Sequence, residues 1–185
     1  MNITVVFGSQ RLNGKSLEIE NDIKKLDVNH HFDFIRMAEK NITGCTACEK
    51  CSDSGICVLS IDKQDDFNEI VQKCIKNDVL LLTTPIYSPY PSRFTAFMER
   101  LLSISFFPYI KNGKEKPLLG KKTGIFCYGS SKIEDDNQLK ILFQKCLMNN
   151  YSFDNVDYDY LNKCTEPNNK FIHINEYIIK TIEKI

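Results

Sequence analysis

Two hydrophobic periodicities alternate along the chain. Asn2–Phe7 is a β-branched run that stops at Gly8, and Lys15–Leu26 follows with Leu17, Ile19, Ile23 and Leu26 at helical spacing. His31–Ile35 predicts a second, weaker strand. Asp65–Lys76 sets Phe67, Ile70, Val71 and Cys74 on one helical face, and Val79–Thr83 is an almost unbroken apolar run of the kind buried on both sides of a parallel sheet. After a loop rich in proline and tyrosine at Pro85–Pro91, Ser92–Leu102 returns to helix with Phe94, Phe97, Met98 and Leu101 as its stripe. Lys122–Cys127 predicts a fourth strand, Asp135–Met148 a helix, Phe153–Tyr160 a fifth strand and Asn168–Ile185 a closing helix. Strands alternating with helices predict a parallel sheet covered on both faces. With no internal repeat and no low-complexity linker, one domain over residues 1–185 is expected.

Composition narrows the function classes. A chain of 185 residues with 42% hydrophobic and 26% charged positions suits an ordinary globular domain. Lys plus Arg and Asp plus Glu both number 24, so the net charge is zero. Nucleic acid is therefore an unexpected partner, because neutralising phosphates needs a basic excess. The longest apolar stretches, such as Val79–Leu82, fall far short of the roughly 20 residues that span a bilayer, so no membrane partner is expected. Ile3–Phe7 follows the start without a basic n-region, which leads us to expect a cytoplasmic protein.

In a sheet of this kind, ligands bind beyond the carboxyl ends of the strands where strand order reverses. Three loops qualify: Gly8–Ser16, Thr84–Ser92 and Tyr128–Ser131. In the first, glycines permit a tight path, and the helix start offers unpaired N–H groups and the positive dipole end. Ser9 and Ser16 can add donors, and Arg11 or Lys15 can add charge, which together make a phosphate cradle. A triphosphatase P-loop fits worse: Gly8 and Gly14 stand one residue too far apart for G-x-x-x-x-G-K-[ST], and Val79–Thr83 ends without an acidic residue for magnesium. An ordinary β–α turn is the plainer alternative. In the second loop, Tyr87 and Tyr90 offer flat surfaces for a ring, and the prolines restrict the backbone. Tyr128 and Gly129 place the third loop correctly for the same ligand, though less specifically.

The segment Gly8-Ser9-Gln10-Arg11-Leu12-Asn13-Gly14-Lys15-Ser16 resembles the phosphate loop of the NAD(P)H-dependent FMN reductase and iron–sulfur flavoprotein families, which carry G-S-P-R-x-x-G-N-[ST] there. It departs at Gln10 and Lys15, where proline and asparagine are usual. Pro85-Ile86-Tyr87 with Phe97-Met98-Glu99-Arg100-Leu101 is similar to the same families' s-P-[VI]-Y … K-x-F-[IM]-D-R-[LF] block, departing at Thr95 and Glu99. Glu99 and Arg100 are read as structural or interfacial. The resemblance implies a flavodoxin-like three-layer α/β sandwich, with a five-stranded parallel sheet in order 2-1-3-4-5. It implies that Ser9, Arg11, Gly14, Lys15 and Ser16 surround the FMN phosphate, and that Thr84, Pro85, Ile86, Tyr87, Ser88 and Tyr90 wrap the isoalloxazine ring. It further implies a homodimer or homotetramer, with Phe94–Phe107 as interface. Electrons would come from NAD(P)H or a ferredoxin and pass to a quinone, another small acceptor or a redox protein. FMN carries the chemistry, and no side chain is singled out as catalytic.

Of eight cysteines, Cys45, Cys48, Cys51 and Cys57 share a loop over residues 44–58, spaced C-x2-C-x2-C-x5-C. In a reducing compartment a tight cluster reads as metal-binding or redox chemistry rather than structural disulfides. Four soft thiolates can hold a [4Fe–4S] cluster or a tetrahedral zinc, and reduced thiols or a disulfide remain open. The spacing differs from the bacterial ferredoxin run. It resembles the compact motif of the iron–sulfur flavoprotein family, including Gly44 and Gly55, which implies that all four cysteines ligate one cluster exchanging electrons with FMN across a subunit interface. Three functions follow: a cluster-bearing electron-transfer flavoprotein, an NAD(P)H-dependent FMN or quinone reductase without a cluster, and a non-catalytic thiol redox-sensing or metal-binding module. Cys74, Cys127 and Cys146 are expected in the core as small hydrophobes. Cys164 and the three histidines are assigned nothing. The lysines of Lys111–Lys122 read as a solvated loop, with a docking patch for an acidic redox partner as the alternative.

Overall fold

The computed structural model describes residues 1–62, 64–86, 90–101, 103, 112–113, 122–129, 178–180 and 182–183. Within them, β1 (Asn2–Phe7), β2 (His31–Arg36), β3 (Val79–Ile86) and β4 (Lys122–Gly129) form one parallel sheet in the order β2-β1-β3-β4. The helices are α1 (Lys15–Lys24), α2 (Cys51–Ser54), α3 (Leu59–Asp62), α4 (Phe67–Lys76) and α5 (Ser92–Arg100), with a 3₁₀ turn at Met37–Glu39.

The sheet sorts its side chains by the period of two that a pleat imposes. On one face Val6, Leu80 and Leu82 pack with Phe67, Ile70, Val71 and Cys74 of α4 and with Phe94, Phe97 and Met98 of α5. On the other, Ile3, Val5, Phe7, Leu81 and Phe126 meet Ile19 and Ile23 of α1 together with Ile178 and Ile182. Helices therefore cover both faces; the stripes predicted for α4 and α5 are buried, and of the α1 stripe Ile19 and Ile23 are buried while Leu17 and Leu26 are half-buried. Cys74 is core, as expected. The successors of β1 in the chain, β2 and β3, lie on its two opposite sides, so the winding direction reverses between β1 and β3.

Several boundaries differ from the periodicity: α1 and α5 end two residues earlier, at Lys24 and Arg100, and β2 runs one residue further, to Arg36. β3 runs on through Thr84, Pro85 and Ile86, and β4 through Tyr128 and Gly129, although these residues read as loop. β1 pairs with β3 only up to Phe7↔Thr83, whereas β4 continues to Ile86↔Gly129. Past Thr83 the strand is an edge on its β1 side, where Pro85 can sit without needing an N–H. α4 starts at Phe67 rather than Asp65, because the Asp65 carboxylate is used to accept the Phe67 N–H (3.2 Å).

Phe94, Phe97 and Leu101 are buried within the chain's own core, which removes them from the interface expected over Phe94–Phe107. The helix expected at Asp135–Met148, the strand at Phe153–Tyr160, Cys146, Cys164 and His173 lie outside the described residues. Residues 178–180 and 182–183 of the expected closing helix are helical.

Candidate functional site

The reversal of winding opens the carboxyl ends of β1 and β3, and the phosphate-loop residues collect there. The Gly8 N–H donates to the Thr83 carbonyl (2.7 Å), drawing the loop against β3. The approach is so close that a Cβ on Gly8 would lie 2.5 Å from Thr84 Oγ1 and 2.8 Å from Phe94 Cδ2, so only glycine passes here. The buried Ser9 hydroxyl accepts the Arg11 N–H (3.1 Å), folding the turn back on itself, while the Arg11 side chain is exposed. Gln10 Nε2 donates to Ser92 Oγ (2.6 Å) at the start of α5.

Gly14 stands at the N-cap of α1 with φ 101 and ψ −151, a conformation open to glycine alone, and no side chain caps the helix. The Leu17 N–H donates to the Gly14 carbonyl (3.0 Å), so the N–H groups of Lys15 and Ser16 are the ones left to a ligand, with the dipole favouring an anion. Lys15 Nζ lies 3.2 Å from Glu18 Oε2. Ser16 is buried, its Oγ 2.8 Å from the Tyr128 hydroxyl on β4. The Thr83 hydroxyl, from a residue 1% exposed, has no hydrogen-bond partner.

Thr84 and Pro85 are buried, Ile86 and Gly129 pair at the last rung of β3 and β4, and Tyr90 is half-buried against the core. Tyr87 and Ser88 lie outside the described residues. Among the predicted cofactor residues, the structure brings Ser9, Gly14, Ser16, Thr84, Pro85, Ile86, Tyr128 and Gly129 to one end of the sheet.

The cysteines form a second cluster at the far end of α5. Cys45, Cys48, Cys51 and Cys57, all reduced thiols, line one hollow together with Glu99 and Arg100. Cys45 and Cys48 are exposed, Cys51 half-buried and Cys57 buried. The loop is bent by two non-glycine residues in left-handed backbone, Ala47 (φ 51) and Glu49 (φ 55), on either side of Cys48. Such strain is held only where surroundings over-determine it, and it gathers at functional sites. Here it aims amides at sulfur: the Ala47 N–H donates to Cys45 Sγ (3.4 Å), and the Lys50 N–H holds the Cys48 thiol below its ordinary pKa. Burial, with the neighbouring Cys57 sulfur, pushes the Cys51 thiol up.

The last two residues of α5 anchor both ends of this loop. Glu99 Oε2 accepts the Cys45 N–H (3.1 Å), and Arg100 donates to Cys57 Sγ (3.3 Å). The Arg100 guanidinium is itself fixed, donating to both oxygens of Asp65, to Ser60 Oγ (3.0 Å) and to the Thr43 carbonyl (3.0 Å), and lying over the Phe67 ring. Burial pushes the Asp65 carboxyl up, but Arg100, Ser60 and the Phe67 and Thr43 amides hold it well below the usual carboxylate range. Asn68 clamps the Cys57 backbone, accepting its N–H (3.3 Å) and donating to its carbonyl (3.0 Å). None of Asp65, Asn68, Glu99 or Arg100 was singled out for this role from sequence. The available signal was a cation placed beside the apolar stripe Phe97, Met98 and Leu101, which in a core demands a buried counter-charge.

A family model for NADPH-dependent FMN reductase matches residues 1–152. An iron-sulfur flavoprotein of Methanosarcina thermophila is 27% identical over 103 residues, 54% of this chain and 52% of that protein, so the chain spans about half the length of this relative. Among solved structures, Smu.1420 from Streptococcus mutans UA159 superposes with a TM-score of 0.58 at 14% identity, covering 100% of both chains. FerB, a flavoenzyme NAD(P)H:(acceptor) oxidoreductase from Paracoccus denitrificans, gives 0.56 at 15% identity over 99% of this chain and 91% of its own. These two likenesses show the flavodoxin-like α/β fold. The family match, reaching across most of the chain and both residue clusters, shows that this protein belongs to the NADPH-dependent FMN reductase family of oxidoreductases.

Proposed function

We propose that the chain is an FMN-dependent oxidoreductase that takes electrons from NAD(P)H and passes them to a quinone, another small acceptor or a redox protein. The observation that carries this reading is the convergence at the winding reversal: a glycine crossing at Gly8, an uncapped helix start at Gly14, buried hydroxyls of Ser9 and Ser16, and an unpartnered Thr83 hydroxyl. That donor set fits a phosphate monoester. Ser9, Arg11, Gly14, Lys15 and Ser16 would hold the phosphate, and Thr84, Pro85, Ile86, Tyr87, Ser88, Tyr90, Tyr128 and Gly129 the ring. FMN, when bound, supplies hydride acceptance and single-electron transfer; the chain orients it and keeps water from it.

In the fuller form of the proposal, Cys45, Cys48, Cys51 and Cys57 hold a [4Fe–4S] cluster that relays electrons to or from the flavin. Four reduced thiols around one hollow, with amides and a guanidinium donating to sulfur, support it. Among the described residues, no three His, Cys, Asp or Glu side chains are gathered as tightly as a single metal ion requires. A cluster-free FMN or quinone reductase suits the same arrangement equally well. A fifth strand completing the order 2-1-3-4-5, one domain over residues 1–185, a homodimer or homotetramer and a cytoplasmic site of action belong to the same proposal.

The test is an absorption spectrum of the full chain purified without oxygen, with iron and acid-labile sulfide assayed on the same sample. Flavin bands with about four irons per chain establish the fuller form. Flavin without iron, in a sample kept anaerobic throughout, leaves the cluster-free reductase. No flavin, and no quenching of added FMN fluorescence, overturns the proposal.

A further inference from the structure

Four buried side-chain polar atoms among the described residues lack a hydrogen-bond partner, and three belong to Ser52, Arg100 and Ser103. Arg100 and Ser103 line the cysteine hollow, and Ser52 follows Cys51 in α2. Three orphans in one neighbourhood are not what a finished core tolerates, since a buried donor without an acceptor forfeits its hydration for nothing. The Arg100 Nε–H is an obligatory donor, and the Ser103 hydroxyl donates when offered an acceptor. Negatively charged sulfur held by the four cysteines that line this hollow would be such an acceptor.

We propose that Arg100 and Ser103 act as positioning and potential-setting residues for the sulfur group bound at Cys45, Cys48, Cys51 and Cys57, an inference that rests on the cluster form of the proposed function. Arg100 cannot swing: Asp65, Ser60 and the Thr43 carbonyl take its other donors, and Phe67 lies against its face at 4.3 Å. Its bond to Cys57 Sγ therefore sets where that ligand stands. Asp65 cancels its charge, so what the site receives is a set of fixed donors rather than a bare cation. Donors to cluster sulfurs stabilise the more negative, reduced state, and so raise the reduction potential. A purely structural ion pair would leave that potential where it was.

The experiment compares the full-length wild type with Ser103→Ala and Arg100→Lys, each reconstituted anaerobically with ferrous iron and sulfide, then titrated optically against a potential. Lysine keeps the charge opposite Asp65 but lacks the planar fork and the Nε–H. We expect Arg100→Lys to keep the far-UV circular dichroism of the wild type and to lower the cluster's midpoint by about tenfold in the one-electron equilibrium, 59 mV for n = 1. Ser103→Ala should shift it in the same direction by less. An intact fold with loss of iron uptake in Arg100→Lys also supports the positioning role. If Arg100→Lys fails to fold, Ser103→Ala decides. Iron bound at wild-type stoichiometry with an unmoved midpoint in the folded variants overturns this inference and leaves the cluster reading standing. A wild type that takes up no iron or sulfide overturns both.

Discussion

Replacing Arg100 by methionine isolates what its pair with Asp65 does for the fold. Both side chains are 0% exposed, and Asp65 ties three segments together, accepting from Thr43 Oγ1 (3.0 Å), Ser60 Oγ (2.6 Å) and the Phe67 N–H (3.2 Å). Methionine can still cover the Phe67 ring, so the perturbation is largely loss of the cation. It leaves a buried carboxylate with hydrogen bonds but no counter-charge. Removing one partner of a buried pair costs about 3–5 kcal/mol, against a total stability of about 5–15 kcal/mol for a typical domain. Arg100→Met should therefore fold but sit near the edge.

The pH dependence has a definite sign. In the wild type, the folded-state Asp65 carboxyl lies below its unfolded value of about 3.9, so its contribution is present above that pH and is lost as pH falls through the folded value. In Arg100→Met the folded value rises, since burial stays and the main opposing partner is gone. The variant relieves its stranded charge by protonation at a higher pH than the wild type does. The gap between the two should be widest at pH 7 and narrow toward pH 4. Equilibrium urea unfolding followed by far-UV circular dichroism at pH 7 and 4.5 measures it. The double variant Arg100→Met/Asp65→Asn should recover at least about 1 kcal/mol at pH 7, within the coupling expected of touching residues. A loss below about 1 kcal/mol at neutrality, or a loss equal at both pH values, refutes the reasoning.

Three further outcomes follow from the geometry. Gly8→Ala drives a Cβ to 2.5 Å from Thr84 Oγ1, between side chains that are themselves buried. Overpacking there should cost about 1–3 kcal/mol and weaken FMN binding by fluorescence titration; an unchanged melt and titration refute it. Tyr128→Phe strips the buried Ser16 hydroxyl of the partner 2.8 Å away, at about 1–3 kcal/mol, and thermal unfolding equal to the wild type would contradict that. In the reduced, metal-free protein, iodoacetamide should label Cys48 before Cys51. The Lys50 amide holds the exposed Cys48 thiol down while burial pushes Cys51 up, and the reverse order in peptide mass spectra would refute the assignment.

How much of this was legible along the chain depends on the distance over which each physical cause acts. A pleat and a helix impose their periods on neighbouring residues, so Val79–Leu82 and the stripe Phe67, Ile70, Val71, Cys74 announce themselves. Thr84–Ile86 and Tyr128–Gly129 read as loop because they carry Pro, Tyr and Gly. They are strand because β4 goes on pairing where β1 has stopped, a fact of register that no local composition holds. The phosphate loop was readable from glycines and hydroxyls set just before a helix; its bond to Tyr128, 112 positions away, was not. The cysteines were obvious and their surroundings were not, since the groups that shape the hollow, Asp65, Glu99, Arg100 and Ser103, arrive from later in the chain, just before α4 and at and beyond the end of α5. Yet Arg100 stood in plain view as a cation against a buried stripe, and a core cation needs an anion nearby. Following that demand would have led from α5 to a buried carboxylate, and from the guanidinium's spare donors to Cys57. α5 begins with Ser92 bonded to the phosphate loop and ends with Glu99 and Arg100 in the cysteine hollow, so one helix sets the position of both sites relative to the sheet.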